Sequence, residues 1–113
     1  MEIKENSRRE IVVFTLQGRL DGNEAQAFEE RVLIKLDQGA TKLVFDFHQL
    51  DYINSSGLRV LVMTYQRLQA ANGRIAICGL KDYIQEIFDI SGYNEIFAMY
   101  ADCDAALREL QDK

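Results

Sequence analysis

The sequence predicts an α/β fold: one small domain over residues 1–113, with a mixed, mostly parallel sheet that opens on a hairpin and carries helices packed on it. Three observations predict it. Apolar segments of strand length alternate with longer segments whose apolar residues recur every three or four positions. Glycine or asparagine closes the helical segments, as in "DQG", "ANG" and "ISG". The helices between strands are long enough for the crossovers that parallel pairing requires. At 113 residues and 48% hydrophobic, the chain can bury one core and is too short for two.

The elements follow in order. "MEIKEN" reads as a short edge strand paired to "EIVVFTLQG", Glu10 to Gly18, which is β-branched and apolar and ends on glycine. Ala25, Phe28, Val32 and Leu36 then recur at helical spacing, with Asn23 as the expected N-cap, Gln26 three residues on and Gly39 at the end. "TKLVFDFHQL" is the next strand, with Leu43, Phe45 and Phe47 on one face and Val44, Asp46 and His48 on the other. Leu58, Leu61, Val62, Tyr65 and Leu68 mark a long helix that stops at Asn72 and Gly73. "RIAIC" is a strand and "KDYIQEIFDISG" a helix ending at Gly92. "EIFAMY" is the last strand, and "DCDAALRELQ" a closing helix capped by Asp102. Phe45, Leu61, Val62 and Ile77 are expected to be inaccessible.

Composition narrows the function. A formal net charge of -5 leaves no basic surface to neutralise phosphates or hold anionic lipid, so neither nucleic acid nor membrane is an expected partner. The start of the chain has no apolar leader, and no apolar run approaches the roughly 20 residues that span a bilayer, so a cytoplasmic location is expected. Cys78 and Cys103 have no metal-ligand spacing and there is one histidine, His48. Both cysteines are therefore expected to be buried structural thiols, with no metal and no cofactor.

One polar stretch interrupts this pattern. In "LDYINSSGLRVLV" two serines and a glycine lie between a strand and a strongly apolar helix. The helix start presents unpaired N–H groups and a positive dipole end, which favours ligands and partners there. Ser55 or Ser56 is expected to cap the helix, and Gly57 to admit the turn without a Cβ clash. A cap accounts for one serine, not two. Catalysis is not expected: a serine-hydrolase elbow needs G-x-S-x-G, whereas this chain has "NSSG" and its histidine lies at the end of a strand. Nor does Asp46, followed by Phe47 inside a strand, resemble the clustered acids of a phosphoaspartate receiver.

These residues resemble a known family. "INSSGLRVLV", preceded by "KLVFDFHQLDY" and followed by "GRIAICGLKDYIQEIFDISGYNEIF", is similar to the STAS domain of bacterial anti-sigma-factor antagonists, from "VVFTLQGRLDGNEA" to the last helix. The resemblance implies a phosphorylation-switched interaction module with no enzymatic activity. Its acceptor would be Ser55, the serine after the position of the family's aspartate in D-S-S/T/A-G-L-G, and Asp21 in "GRLD" would be the acidic residue of the adjoining loop. It also implies a docking patch of Asp21, Asn54, Ser55, Ser56, Gly57, Leu58 and Arg59. The implied partners are an anti-sigma factor that is also a serine kinase and a PP2C-type phosphatase, with the chain itself a monomer or weak dimer. A STAS scaffold without phosphorylation, in a signalling or lipid-transport complex, is the alternative. The chain departs from the family motif twice: Asn54 stands where aspartate is usual, and Arg59 where a second glycine is frequent.

Overall fold

The computed structural model describes residues 1–111, and among them the chain alternates strands and helices. The elements are β1 (Glu2–Arg8), β2 (Ile11–Leu20), α1 (Gly22–Asp37), β3 (Lys42–Ile53), α2 (Ser55–Ala70), β4 (Arg74–Cys78), α3 (Asp82–Ser91), β5 (Ala98–Tyr100) and α4 (Cys103–Gln111). A 3-10 turn occupies Tyr93–Glu95. The strands form one sheet in the order β1-β2-β3-β4-β5. β1 is antiparallel to β2, and every later pair is parallel, as expected.

Strand alternation sorts side chains to two layers. Val12, Phe14, Leu16, Leu43, Phe45, Phe47, Ile75 and Ile77 face α1, α2 and α3, which contribute Phe28, Val32, Val60, Leu61, Leu68, Ile84 and Phe88. The rings of Phe14, Phe28 and Phe45 meet edge to face at 5.2–5.9 Å, and this cluster is the centre of the core. The opposite face, with Ile11, Val13, Val44, Ala76 and Cys78, is covered by α4 through Ala106, Leu107 and Leu110.

The expected alternation in β3 holds to Phe47 and then changes. Two register irregularities against β2, between Thr15 and Gln17 and between Gly18 and Arg19, each place one extra residue on β3. The strand is therefore longer than expected, and Leu50 and Ile53 join Phe47 in the same core although the spacing is three.

Four other boundaries or faces differ from expectation. α1 begins at Gly22, so its N-cap is Asp21 rather than Asn23, because β2 runs to Leu20 and Asp21 keeps an extended backbone. Residues 95–97 of "EIFAMY" lie in the 3-10 turn and the bend after it, leaving β5 three residues. The buried face of α2 is Gly57, Val60, Leu61, Thr64 and Leu68, so Val62 is half-buried. Thr64 satisfies its hydroxyl by donating to the Val60 carbonyl at 2.8 Å, which lets it occupy a core position. Cys78 is buried as expected, but Cys103 is only half-buried. Burial, and after it the Asp46 carboxylate, pushes both thiols up from their ordinary pKa.

Ion pairs tie the edge strand to α1. Glu5 of β1 lies 2.9 Å from Lys35 and 3.3 Å from Arg31 of α1. Burial works against the Glu5 carboxylate, but these two cations outweigh it and hold its carboxyl below the ordinary range.

The orientation of α2 is testable. Leu61→Ala is expected to cost roughly 2–5 kcal/mol in denaturant unfolding, because it leaves a cavity in the core. Val62→Ala should cost clearly less. A greater loss at Val62 than at Leu61 would contradict the observed face.

Candidate functional site

The carboxyl ends of β2 and β3 lie side by side, and each runs directly into a helix. Leu20 pairs with Ile53, and the Asn54 N–H donates to the Leu20 carbonyl at 3.3 Å. The next residue of each strand, Asp21 and Asn54, has an extended backbone and serves as N-cap of α1 and α2 respectively. Two helix N-termini thus open at one edge of the sheet, where their unpaired N–H groups and positive dipole ends add.

The two caps differ. The Asn54 side-chain oxygen accepts from the N–H of Ser56 at 3.0 Å and of Gly57 at 3.3 Å. Asp21 makes no side-chain bond to its helix, so its carboxylate is not consumed by capping. The expectation that Ser55 or Ser56 caps α2 is therefore corrected. Asn54 does so, one residue earlier, because its amide oxygen reaches the second and third N–H groups of the helix. Ser55 is the first residue of α2 and is exposed; Ser56 is half-buried.

Gly57 also has a different role from the one expected. It lies inside the first turn of α2 and is buried. A Cβ there would stand 2.8 Å from Ile53 Cγ1 and 2.8 Å from Leu20 Cγ. The glycine is needed because the helix start sits directly on the last residues of β2 and β3, not because of the turn. Leu58 is half-buried against the core, and its N–H donates to the Asn54 carbonyl at 3.0 Å.

Arg59 lies one helical turn beyond Ser55 and is largely exposed. Its guanidinium lies 3.7 Å from the Glu29 carboxylate of α1. The carboxylate that offsets a cation at this helix start is thus supplied by the neighbouring helix. α2 has no acidic residue in its first turn, whereas α1 has Glu24, so the positive end of α2 is the less compensated of the two.

The rim holds residues that sequence reading did not single out. Arg19 stacks over the Tyr52 ring at 4.0 Å, the two being register partners on β2 and β3. Lys81, which precedes α3, pairs with Asp51, and the Tyr83 hydroxyl donates to the Asp51 carbonyl at 2.9 Å. The one sequence signal for these contacts was the polar, aromatic "QLDY" at the strand end, but its pairing depends on the two irregularities in β3. The neighbourhood has no histidine: His48 lies within the first of these irregularities, between Asp46 and Gln49, and its ring bonds Asp46 at 2.7 Å.

Comparison with known proteins completes the description. The chain belongs to the STAS domain family, whose profile matches residues 2–106. Its relatives carry a narrower description. BtrV of Bordetella bronchiseptica, assigned to the anti-sigma factor antagonists, is 33% identical over 96 residues, covering 85% of this chain and 83% of its own. The anti-sigma F factor antagonist of Paenibacillus polymyxa is 24% identical, with 98% and 96% covered. Among solved structures, the anti-sigma factor antagonist SpoIIAA in its unphosphorylated form superposes with a TM-score of 0.81 at 22% identity, over 99% of this chain and 100% of its own. The phosphorylated form of Bacillus SpoIIAA superposes with 0.76 at 24% identity, over 95% and 98%.

The cap and the glycine make separable predictions. Asn54→Ala should lower stability by about 0.5–2 kcal/mol, while Ser56→Ala should change it by less than about 0.5 kcal/mol. In Gly57→Ala the helix-propensity gain of up to about 1 kcal/mol is opposed by about 1–3 kcal/mol of overpacking against Leu20 and Ile53, so net destabilisation is expected. Denaturant midpoints of the three variants check both assignments; a stabilised Gly57→Ala would mean that the helix start is not seated as described.

Proposed function

We propose that this chain is an anti-sigma-factor antagonist: a binding module that engages an anti-sigma factor through the paired helix starts, with Ser55 as the phosphoacceptor that switches the contact. The observation that carries the reading is the division of labour at the start of α2. Asn54 is used as cap, Ser56 is half-buried and Gly57 is pressed on the strand ends, which leaves Ser55 alone exposed at the head of the helix. The descriptions of the relatives support the same role.

The physical switch follows from charge. Phosphate adds about -1.5 to -2 charges at a place now without an acidic residue in the helix turn. A helix N-terminus stabilises that charge locally, so the fold is undisturbed. Arg59, four residues on and on the same helical face, is a ready counter-charge once drawn from its long contact with Glu29. The effect falls on the partner. A phosphate forced into a desolvated interface costs several kcal/mol, enough to release a protein held at micromolar affinity. Asp21, Asn54, Ser55, Ser56, Gly57, Leu58 and Arg59 make up the proposed docking patch. The anti-sigma factor as kinase and a PP2C-type phosphatase are the proposed modifying partners. The role requires no cofactor and no reaction by this chain. No helix among the described residues is long and apolar enough to cross a membrane.

Phosphate mapping by mass spectrometry after incubation with the cognate kinase and ATP is expected to place the modification on Ser55. Ser55→Ala should bind the partner and resist release. Ser55→Asp should weaken binding only in part, since it carries about one charge where phosphate carries up to two. Phosphate solely on Ser56 would overturn the assignment. No phosphate on either serine, with binding intact, would leave a docking module without the switch.

A further inference from the structure

On the opposite face of the sheet, three elements bring metal-binding atoms together. Asp46 of β3 and Cys78 of β4 are register partners on adjacent parallel strands, and both point toward α4. Cys103 is the first residue of α4. The two Sγ atoms and a carboxylate oxygen of Asp46 all lie within 4.8 Å of one another. Ligand atoms around one tetrahedral zinc ion stand roughly 3.5–3.8 Å apart, given metal–sulfur and metal–oxygen bonds of about 2.3 and 2.1 Å. The cluster is thus within a small side-chain adjustment of a coordination sphere.

The surroundings suit a cation. Ile11, Val13, Val44, Ala76 and Leu107 make the buried part of this face apolar, so a carboxylate and two thiols meeting within it are not what α4 packing requires. Asn6, Arg8 and Thr15 border the cluster on its β1–β2 side, and the Arg8 cation there has to be outweighed by the carboxylates. Asp46 is already oriented, as metal-ligating carboxylates are, by outer-shell hydrogen bonds: His48 Nδ1 lies 2.7 Å and the His48 N–H 3.2 Å from its Oδ1. Gly79 makes that approach possible, because a Cβ there would stand 2.9 Å from His48 Cβ. A cavity of about 240 Å³, lined by Asp46, His48, Asp102, Cys103 and Asp104 among others, opens the cluster to solvent. It offers both an entry path and a place for a water ligand, and its carboxylates favour positive charge.

We propose that Asp46, Cys78 and Cys103 bind one thiophilic divalent cation of the zinc class, with His48 holding the Asp46 carboxylate and water completing the coordination. Two sulfurs with one oxygen select against calcium and magnesium, which take oxygen ligands. The ion would join β3, β4 and the start of α4. It would act independently of Ser55, which lies beyond the far end of β3.

The test is a titration of the reduced, metal-free protein with cobalt(II), followed by zinc(II). One equivalent of cobalt should give a thiolate-to-cobalt charge-transfer band, and zinc should abolish it. Zinc at a hundredfold excess over its Kd should raise Tm by roughly 10 °C. Cys103→Ser should lose most of the band and bind at least tenfold more weakly. His48→Ala should keep the band and lose about 10–100-fold in affinity, as outer-shell removal does. Cys103 is half-buried, so its variant remains informative should Cys78→Ser fail to fold. Absence of the charge-transfer band with cobalt in excess, or a band of equal strength in Cys103→Ser, would overturn the proposal.

Discussion

The contact of Gly57 with Leu20 and Ile53 governs the geometry of this protein's sheet edge. Because a hydrogen replaces a side chain at that one point, the first turn of α2 rests directly on the last residues of β2 and β3. Everything at the candidate site follows from that seating. Asn54 is brought level with Asp21, so that two helices start side by side. Ser55 is pushed to the surface, and Arg59 falls within reach of Glu29 across the groove between the helices. The two irregularities in β3 serve the same core: in a regular strand Leu50, three residues from both Phe47 and Ile53, would turn to the opposite face, and the extra residues keep all three together.

The neutral cap gives the site a particular electrostatic character. An aspartate at position 54 would place a permanent negative charge at the head of α2, where a phosphate on Ser55 would have to share the helix dipole with it. The asparagine supplies the same oxygen to the same two N–H groups without that charge. The departure from the family motif therefore keeps the structural half of the residue's role and gives up the electrostatic half. Arg59 works in the same direction, since it adds a cation where a glycine is frequent in the family. The unmodified patch is correspondingly less acidic, although the chain as a whole carries a net charge of -5.

Much of this was legible in the sequence where one rule decided the outcome. The compact apolar runs "KLVFDF" and "IAIC" were decisive because each strand is buried on both faces, and Gly39 and Gly92, with φ of +95° and +80°, ended their helices as glycine's backbone freedom allows. The failures have a common form: two local rules competed and tertiary packing chose between them. In "NSSG" three residues are competent caps, and the choice of Asn54 is made by where β3 ends. In α2 the helical stripe could include Val62 or Thr64, and a hydroxyl bond to the backbone admits the threonine. In "EIFAMY" an apolar run reads as a strand, but Phe97 is spent on the aromatic cluster with Tyr65, Phe88 and Tyr93 before pairing begins. The rim of the site has only the polar, aromatic "QLDY" as a local signal and the Asp46–Cys78–Cys103 cluster has none, since each is assembled from elements distant in the chain.

The two edges of the sheet carry a consequence of their own. β5 pairs through three residues only, and β1 presents Glu2, Lys4, Glu5 and Arg8 along seven. A short strand offers few unpaired backbone groups, and a charged one is a poor template for another chain. Neither margin therefore invites a neighbour to add a strand, so contact with other proteins is left to side chains and helix ends. The proposed role of binding a partner and releasing it is served by this arrangement, because strand addition, the route by which sheets grow into fibres, is discouraged at one margin by brevity and at the other by charge.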